Sequence, residues 1–177
     1  MPEYFRVRMY QKGFELLKQK DYKVTGRAAM KNTATLWRLT VLRLHFGDAA
    51  GRRYGYAARR GERRGGKPVP RTYTDRKLRQ FGHTRPLEWT GKGKSMATSN
   101  HRTVVNKTPT SLIHKATVVI NAPVFNIRNA GSGINLRAEL TKVLKKETKT
   151  LQHRYQTAYI KGLKRKARGK RKTTTIK

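Results

Sequence analysis

The sequence predicts an α+β fold: a small antiparallel β-sheet packed against a long C-terminal helix and an N-terminal helix, with an extended basic arm and a basic tail. Apolar residues recur at helical spacing over two stretches, near 25–47 and 135–159, and two β-rich runs lie between them. Glycine- and arginine-rich chain breaks the pattern in the middle, and an acid-free cationic run closes it. A length of 177 residues is close to the ~150 residues of one domain. The expected organisation is one α+β domain over 1–163, an extended basic arm at about 48–75, and a tail over 164–177.

In chain order, residues 3–10 alternate, with Phe5, Val7 and Met9 opposite Arg6 and Arg8, which predicts a short half-buried strand. Residues 14–20 can form a short helix packed through Phe14 and Leu17. Thr25 is a plausible N-cap for the next helix, along which Met30, Ala34, Trp37, Val41 and Leu44 lay an apolar stripe. Trp37 reads as a core residue on that stripe, and Gly47 is placed to stop the helix.

From 48 to 75 the chain turns rich in glycine and arginine, with little that is apolar. Like-charge repulsion and backbone entropy oppose a compact fold there, so an arm ordered only against a partner is expected. Tyr54, Tyr56 and Tyr73 could stack on bases or pin the arm to its own domain. Turns are expected at Gly82 and Gly91, with Pro86 constraining chain direction. The runs 95–106 and 112–121, separated by Thr108-Pro109-Thr110, suggest a hairpin with a longer loop, joining the first strand in the sheet.

Residues 122–135 read as irregular. Asn135 can then cap a long helix with Leu136, Leu140, Val143 or Leu144, Leu151, Tyr155 and Ala158 or Tyr159 on one face, lying on the sheet. No acid follows Glu147, and the chain ends in a run expected to be solvated or ordered by a partner.

Charge bounds the function. The chain carries 43 Lys+Arg against 9 Asp+Glu, a formal +34, and such a molecule repels itself unless polyanions or acidic neighbours surround it. Nucleic acid is the first partner to consider. The candidate polyanion or neighbour-subunit contacts are Arg52, Arg53, Arg59, Arg60, Arg63 and Arg64 in the arm. In the tail they are Lys164, Arg165, Lys166, Arg168, Lys170, Arg171 and Lys172.

Local sequence offers no chemistry. There is no cysteine, hence no disulfide or thiolate ligand. The histidines at 45, 83, 101, 114 and 153 have neither HxxxH spacing nor a nearby acidic pair, and no GxSxG occurs. The run Gly91-Lys92-Gly93-Lys94-Ser95 invites comparison with a phosphate-binding loop, but the position that must be glycine is Glu88. Asn106-Lys107-Thr108 matches a glycosylation sequon without a secretory signal beside it. No run approaches the ~18 apolar residues of a membrane span. The expectation is a soluble intracellular product with no enzymatic activity, no cofactor, no metal and no membrane association.

One punctuation pattern goes further. A helix ending in His45-Phe46-Gly47 is followed by Arg53-Tyr54-Gly55-Tyr56 and the arginine segment, then Arg76-Lys77, Gly82-His83, Pro86-Leu87 and Thr90-Gly91. Ala122-Pro123-Val124-Phe125-Asn126 comes next, before a last helix containing Glu139-Leu140 and Glu147. From about Trp37 to Leu163 this resembles the tailed-bacteriophage neck proteins, known as tail-completion, head-tail connector or virion-morphogenesis proteins. The resemblance implies an α+β virion subunit, assembled in the host cytoplasm into a ring of six or twelve copies. That ring would lie between the portal-proximal connector and the tail tube, touching neck, portal or tail-tube proteins, with packaged double-stranded DNA passing through. It implies no catalytic residues. The alternative that composition supports is a ribosomal or other RNA-binding structural protein whose basic arms neutralise phosphates.

Overall fold

The structure is a computed structural model of the chain, and it describes residues 14, 17–63, 66–99, 101–105, 115–126, 128–129 and 134–174. The strand expected over 3–10 lies outside the described residues. The fold is α+β, as the sequence predicts: long helices near each end and short strands between them. Contacts group the chain into two compact units, residues 1–37, 103–118 and 145–177 in the first and 38–102 with 119–144 in the second.

Helix α1 spans Gln19–Leu44. It begins earlier than the Thr25 cap predicts, because Lys18 and Asp21 cap each other: the Asp21 carboxylate accepts from the Lys18 N–H at 3.0 Å, and the Asp21 N–H donates to the Lys18 carbonyl at 2.8 Å. Thr25 is therefore inside the helix, on a buried line that continues through Ala29, Thr33 and Val41. Leu44, placed on the apolar stripe by sequence, is 41% exposed. Of residues 14–20, Phe14, Leu17 and Lys18 are not helical, and Gln19 and Lys20 belong to α1.

In the first unit α1 meets α6, Lys145–Thr174. Leu151, Tyr155, Tyr159 and Leu163 recur every fourth residue and are buried, and the last three join Leu17 and Ala29 in one core. This helical face was expected on the sheet, and in the described core it meets α1. Gly162 permits the approach: a Cβ there would sit 2.5 Å from Thr25 Cγ2. Lys166 closes the same end on Asp21 at 3.3 Å. Burial pushes the Tyr155 hydroxyl up to about 12, so that it stays neutral.

The second unit holds α2 (Ala50–Tyr54), α3 (Tyr73–Phe81), α4 (Lys92–Ser99) and α5 (Leu136–Leu140). Its centre is aromatic. The His45 ring stacks on Tyr54 at 3.9 Å and shares a hydrogen bond with the Tyr56 hydroxyl, while Phe46 packs against Phe125 at 6.0 Å. Residues 48–75, expected as an extended arm, therefore contain a helical turn and buried tyrosines, because those side chains fill this cluster.

Helix α4 replaces the first half of the strand expected over 95–106. Thr98 and Ser99 donate their hydroxyls to the carbonyls of Lys94 and Ser95 four residues back, Ala97 is fully buried, and Arg38 Nη1 reaches the Thr98 carbonyl at 3.2 Å. The strands are β1 (His101–Val105), hydrogen-bonded to β2 (Ala116–Ile120), and an antiparallel pair, β3 (Arg128–Asn129) with β4 (Ile134–Asn135). A 3-10 turn, Pro123–Asn126, precedes β3. Asn135 caps as predicted, accepting from Ala138 N at 3.0 Å, but its helix is α5. The chain leaves helical geometry between Leu140 and Lys145, where Thr141 turns its hydroxyl onto the Arg137 carbonyl and Lys142 Nζ reaches the carbonyls of Tyr54 and Gly55.

Candidate polyanion-binding surface

The cations singled out by sequence meet different fates. Arg59 is not a surface contact. Its guanidinium is buried against Glu139 through two bonds, Nη2 to Oε2 at 2.5 Å and Nη1 to Oε1 at 3.1 Å, with both side chains 7% exposed. Arg52 and Arg53 are exposed on α2, and Arg53 lies 5.6 Å from the Tyr54 ring centroid. Arg60 and Arg63 are exposed, and Arg64 lies outside the described residues.

In the first unit, the expected tail is the last three turns of α6, because the Tyr155–Leu163 face that holds the helix on α1 continues through half-buried Ala167. Lys166 is spent on Asp21, whereas Lys164, Arg165 and Arg168 are exposed. With Arg154 and Lys161 they form one stripe opposite the buried line, about 21 Å long at 1.5 Å per residue. The helix runs on through Lys170, Arg171 and Lys172.

The second unit gathers cations that the sequence scatters. Gly61 adopts φ +81°, and a Cβ there would overlap the Thr72 side chain. The loop can thus double back: Val69 N donates to the Gly61 carbonyl at 2.9 Å, Thr72 Oγ1 to the Val69 carbonyl at 2.6 Å, and Thr74 Oγ1 to the Arg60 carbonyl at 2.9 Å. The doubled loop sets Arg60 beside the start of α3. Between them is an open groove of about 650 Å³, lined by Arg60, Arg71, Tyr73, Asp75, Arg76 and Arg79 with Thr72 and Gln80.

Four guanidiniums face a single carboxylate, and that carboxylate is engaged. Asp75 accepts from Arg71 N at 2.9 Å and pairs with Arg79 at 3.2 Å. Arg60, Arg71 and Arg76 are exposed and have no carboxylate partner among the described residues. Arg71 holds φ +61°, a conformation uncommon for a residue with a side chain. Tyr73 forms a rigid wall, 38% exposed, its ring stacked on Trp89 at 4.9 Å, and burial raises its hydroxyl pKa above the ordinary value against the pull of Arg59 and Arg76.

Behind this wall, Lys77 is 2% exposed, donates to the Arg85 carbonyl and lies 5.9 Å from the Trp89 ring centroid. Burial, reinforced by Arg59, lowers its pKa to about 8. Arg85 bridges Asp48 at 2.9 Å and Glu88 at 3.1 Å, and the direct bond to Asp48 leads the rise in its pKa.

The sequence marked Arg60 as a candidate but passed over Arg71, Arg76 and Arg79. The i, i+3 spacing of Arg76 and Arg79 was the one available signal for a shared face. The GKGKS segment opens α4, but α3 and turns precede it rather than a strand, and Lys94 lies 3.9 Å from Glu88, where a phosphate would have to displace a carboxylate. Among the described residues there is no group of three or more His, Cys, Asp or Glu that could hold a metal ion, and no helix long and apolar enough to cross a membrane. Comparison with family models, curated proteins and solved structures finds no match to the chain.

Proposed function

We propose that the chain is a structural subunit of a tailed-phage virion. It would sit in the neck between the portal-proximal connector and the tail tube, where copies close into a ring around the passing genome. The observation that carries the proposal is the convergence of the punctuation residues, Glu147 on α6 excepted, on one unit. His45, Tyr54 and Tyr56 form its aromatic stack, Phe46 meets Phe125, and Leu87 and Ala122 are buried. Gly55 and Gly82 end α2 and α3 in the left-handed conformation, at φ +58° and +70°. Members of the pattern that serve as packing and turn positions are what a structural subunit needs, and this supports the reading.

Two further features support assembly. The β1–β2 pair has only two strands among the described residues, marginal by itself, and it carries Val104 and Val119 at 42% and 43% exposure. A strand or apolar surface from a neighbouring subunit would complete it. The exposed cations on α2, α6 and the α3 groove suit DNA or acidic neighbours around a central channel.

Mass spectrometry and cryo-EM of purified virions test this. The expected result is ring density in the neck that fits the second unit, with peptides of this chain in the particle. A particle lacking the chain overturns it, and co-sedimentation with ribosomal subunits through a high-salt gradient would assign the cations to RNA instead.

A further inference from the structure

We infer that the groove between Arg60 and α3 is a binding site for the phosphodiester backbone of DNA. The phosphate site rests on the local geometry, and the choice of DNA as its source rests on the proposed neck function. A concave site of about 650 Å³ that gathers four arginines, with its one carboxylate tied to Arg79 and to the Arg71 N–H, leaves Arg60, Arg71 and Arg76 as a positive field with no carboxylate partner among the described residues. Guanidiniums present planar donor forks that match pairs of phosphate oxygens. Duplex DNA presents a charge about every 1.7 Å along its axis with both strands counted, a density suited to a site that gathers several guanidiniums.

The groove is also built rather than incidental. Loop hydrogen bonds through Gly61, Val69, Thr72 and Thr74 fix the position of Arg60. The Arg71 backbone is held at φ +61° by its bond to Asp75. The neutral Tyr73 hydroxyl can donate one more hydrogen bond, and its ring is braced by Trp89. These contacts carry no base information. Binding should therefore be indifferent to sequence and steep in salt.

The test is a salt titration of binding to a short fluorescein-labelled DNA duplex by the full-length protein and two variants of equal charge loss per substitution. The groove variant is Arg60→Gln, Arg71→Gly and Arg76→Gln. Glycine is used at 71 because it accepts the positive φ without strain, and circular dichroism confirms that the fold is retained. The control, Lys20→Gln with Lys31→Gln, removes exposed cations from α1. The groove variant should flatten the slope of log K against log salt by about 2.7, at ~0.9 for each phosphate no longer neutralised, while the control leaves it within about 0.5. Equal flattening per charge in both variants would reduce the groove to net charge and overturn the inference. So would displacement of the duplex by poly-glutamate at the same charge concentration as by polyphosphate, which would mark an acidic-protein dock. A folded groove variant with the full wild-type slope also overturns it. None of these outcomes depends on whether virions contain the chain.

Discussion

The Arg59–Glu139 pair separates structural charge from functional charge. Removing the Glu139 carboxylate by Glu139→Gln leaves the charge of a guanidinium that is 7% exposed without its counterion, and replaces one of the two acceptor oxygens, at 2.5 and 3.1 Å, by an amide NH2 that can only donate. Breaking a buried pair from one side costs about 3–5 kcal/mol, because the remaining charge cannot regain its water. Arg59→Met should cost a similar amount from the other side. The double change Arg59→Met with Glu139→Leu should lie within about 1–2 kcal/mol of wild type, since neither charge is left behind. Its backbone neighbour tolerates this: Ala57, whose N–H and carbonyl bond the two side chains at 3.1 and 3.0 Å, is exposed, so water can replace them. Urea unfolding at fixed salt, followed by circular dichroism and tryptophan fluorescence, gives each midpoint and slope. A Glu139→Gln cost below about 1 kcal/mol would refute burial of the pair, and so would a double variant as weak as the sum of the singles. Arg59→Met should also leave the salt slope of DNA binding unchanged, since Arg59 does not face solvent.

Three other outcomes follow from particular contacts. Gly162→Ala should lower stability by about 1–3 kcal/mol through overlap with Thr25, although alanine favours helix, and adding Thr25→Ser, which removes the colliding Cγ2, should recover most of it in thermal unfolding. Burial lowers the folded pKa of Lys77 to about 8, so between about 8 and the ordinary lysine value of ~10.4 the unfolded chain holds a proton that the folded one has released, and stability rises with pH across that window. Relative to Lys77→Met, the wild type should gain up to roughly 3 kcal/mol there, and parallel pH profiles would contradict this. Gly61→Ala should cost about 2 kcal/mol or more, from its positive φ and the overlap with Thr72, and should weaken DNA binding together with the loop that holds Arg60.

What could be read from sequence was whatever repeats locally. The α6 face from Leu151 to Tyr159, the Asn135 cap and the turns at Gly82 and Gly91 each depend on residues within one or two turns of each other. The start of α1 was misplaced because apolar periodicity ignores Thr25 and Thr33, small polar residues that pack inward, Thr33 returning its hydroxyl to the Ala29 carbonyl at 2.9 Å. The compaction of 48–75 was illegible for a different reason. Arg59 is neutralised by a residue 80 positions away, and composition cannot distinguish a paired arginine from a solvated one. The groove was hidden in the same way: Arg76 and Arg79 look like an ordinary solvated helix face until Gly61 turns Arg60 toward them.

The allocation of carboxylates shows where so basic a chain places its few negative charges. Asp21 caps α1 and holds Lys166; Glu62 takes the Arg59 N–H; Asp75 ties the first turn of α3; Asp48 and Glu88 flank Arg85; Glu139 neutralises Arg59. Each of these six acids is committed to a cap, a loop or a specific cation, and among the described residues Arg60, Arg71 and Arg76 of the α3 groove have no carboxylate partner. Internal electrostatics therefore stabilise local geometry and leave the bulk of the +34 uncompensated. Exposed like charges beyond about 8–10 Å are screened by physiological salt; in a ring of copies, stripes and grooves would come within that distance. Dense assembly then requires anions from outside the chain. On the proposed neck function a packaged genome or acidic neighbouring subunits would supply them, so self-association should be weak without polyanion and rise sharply when duplex DNA is added, as light scattering or analytical ultracentrifugation would record. Ring formation at low salt with no anion present would show that an interface of another kind overcomes the repulsion.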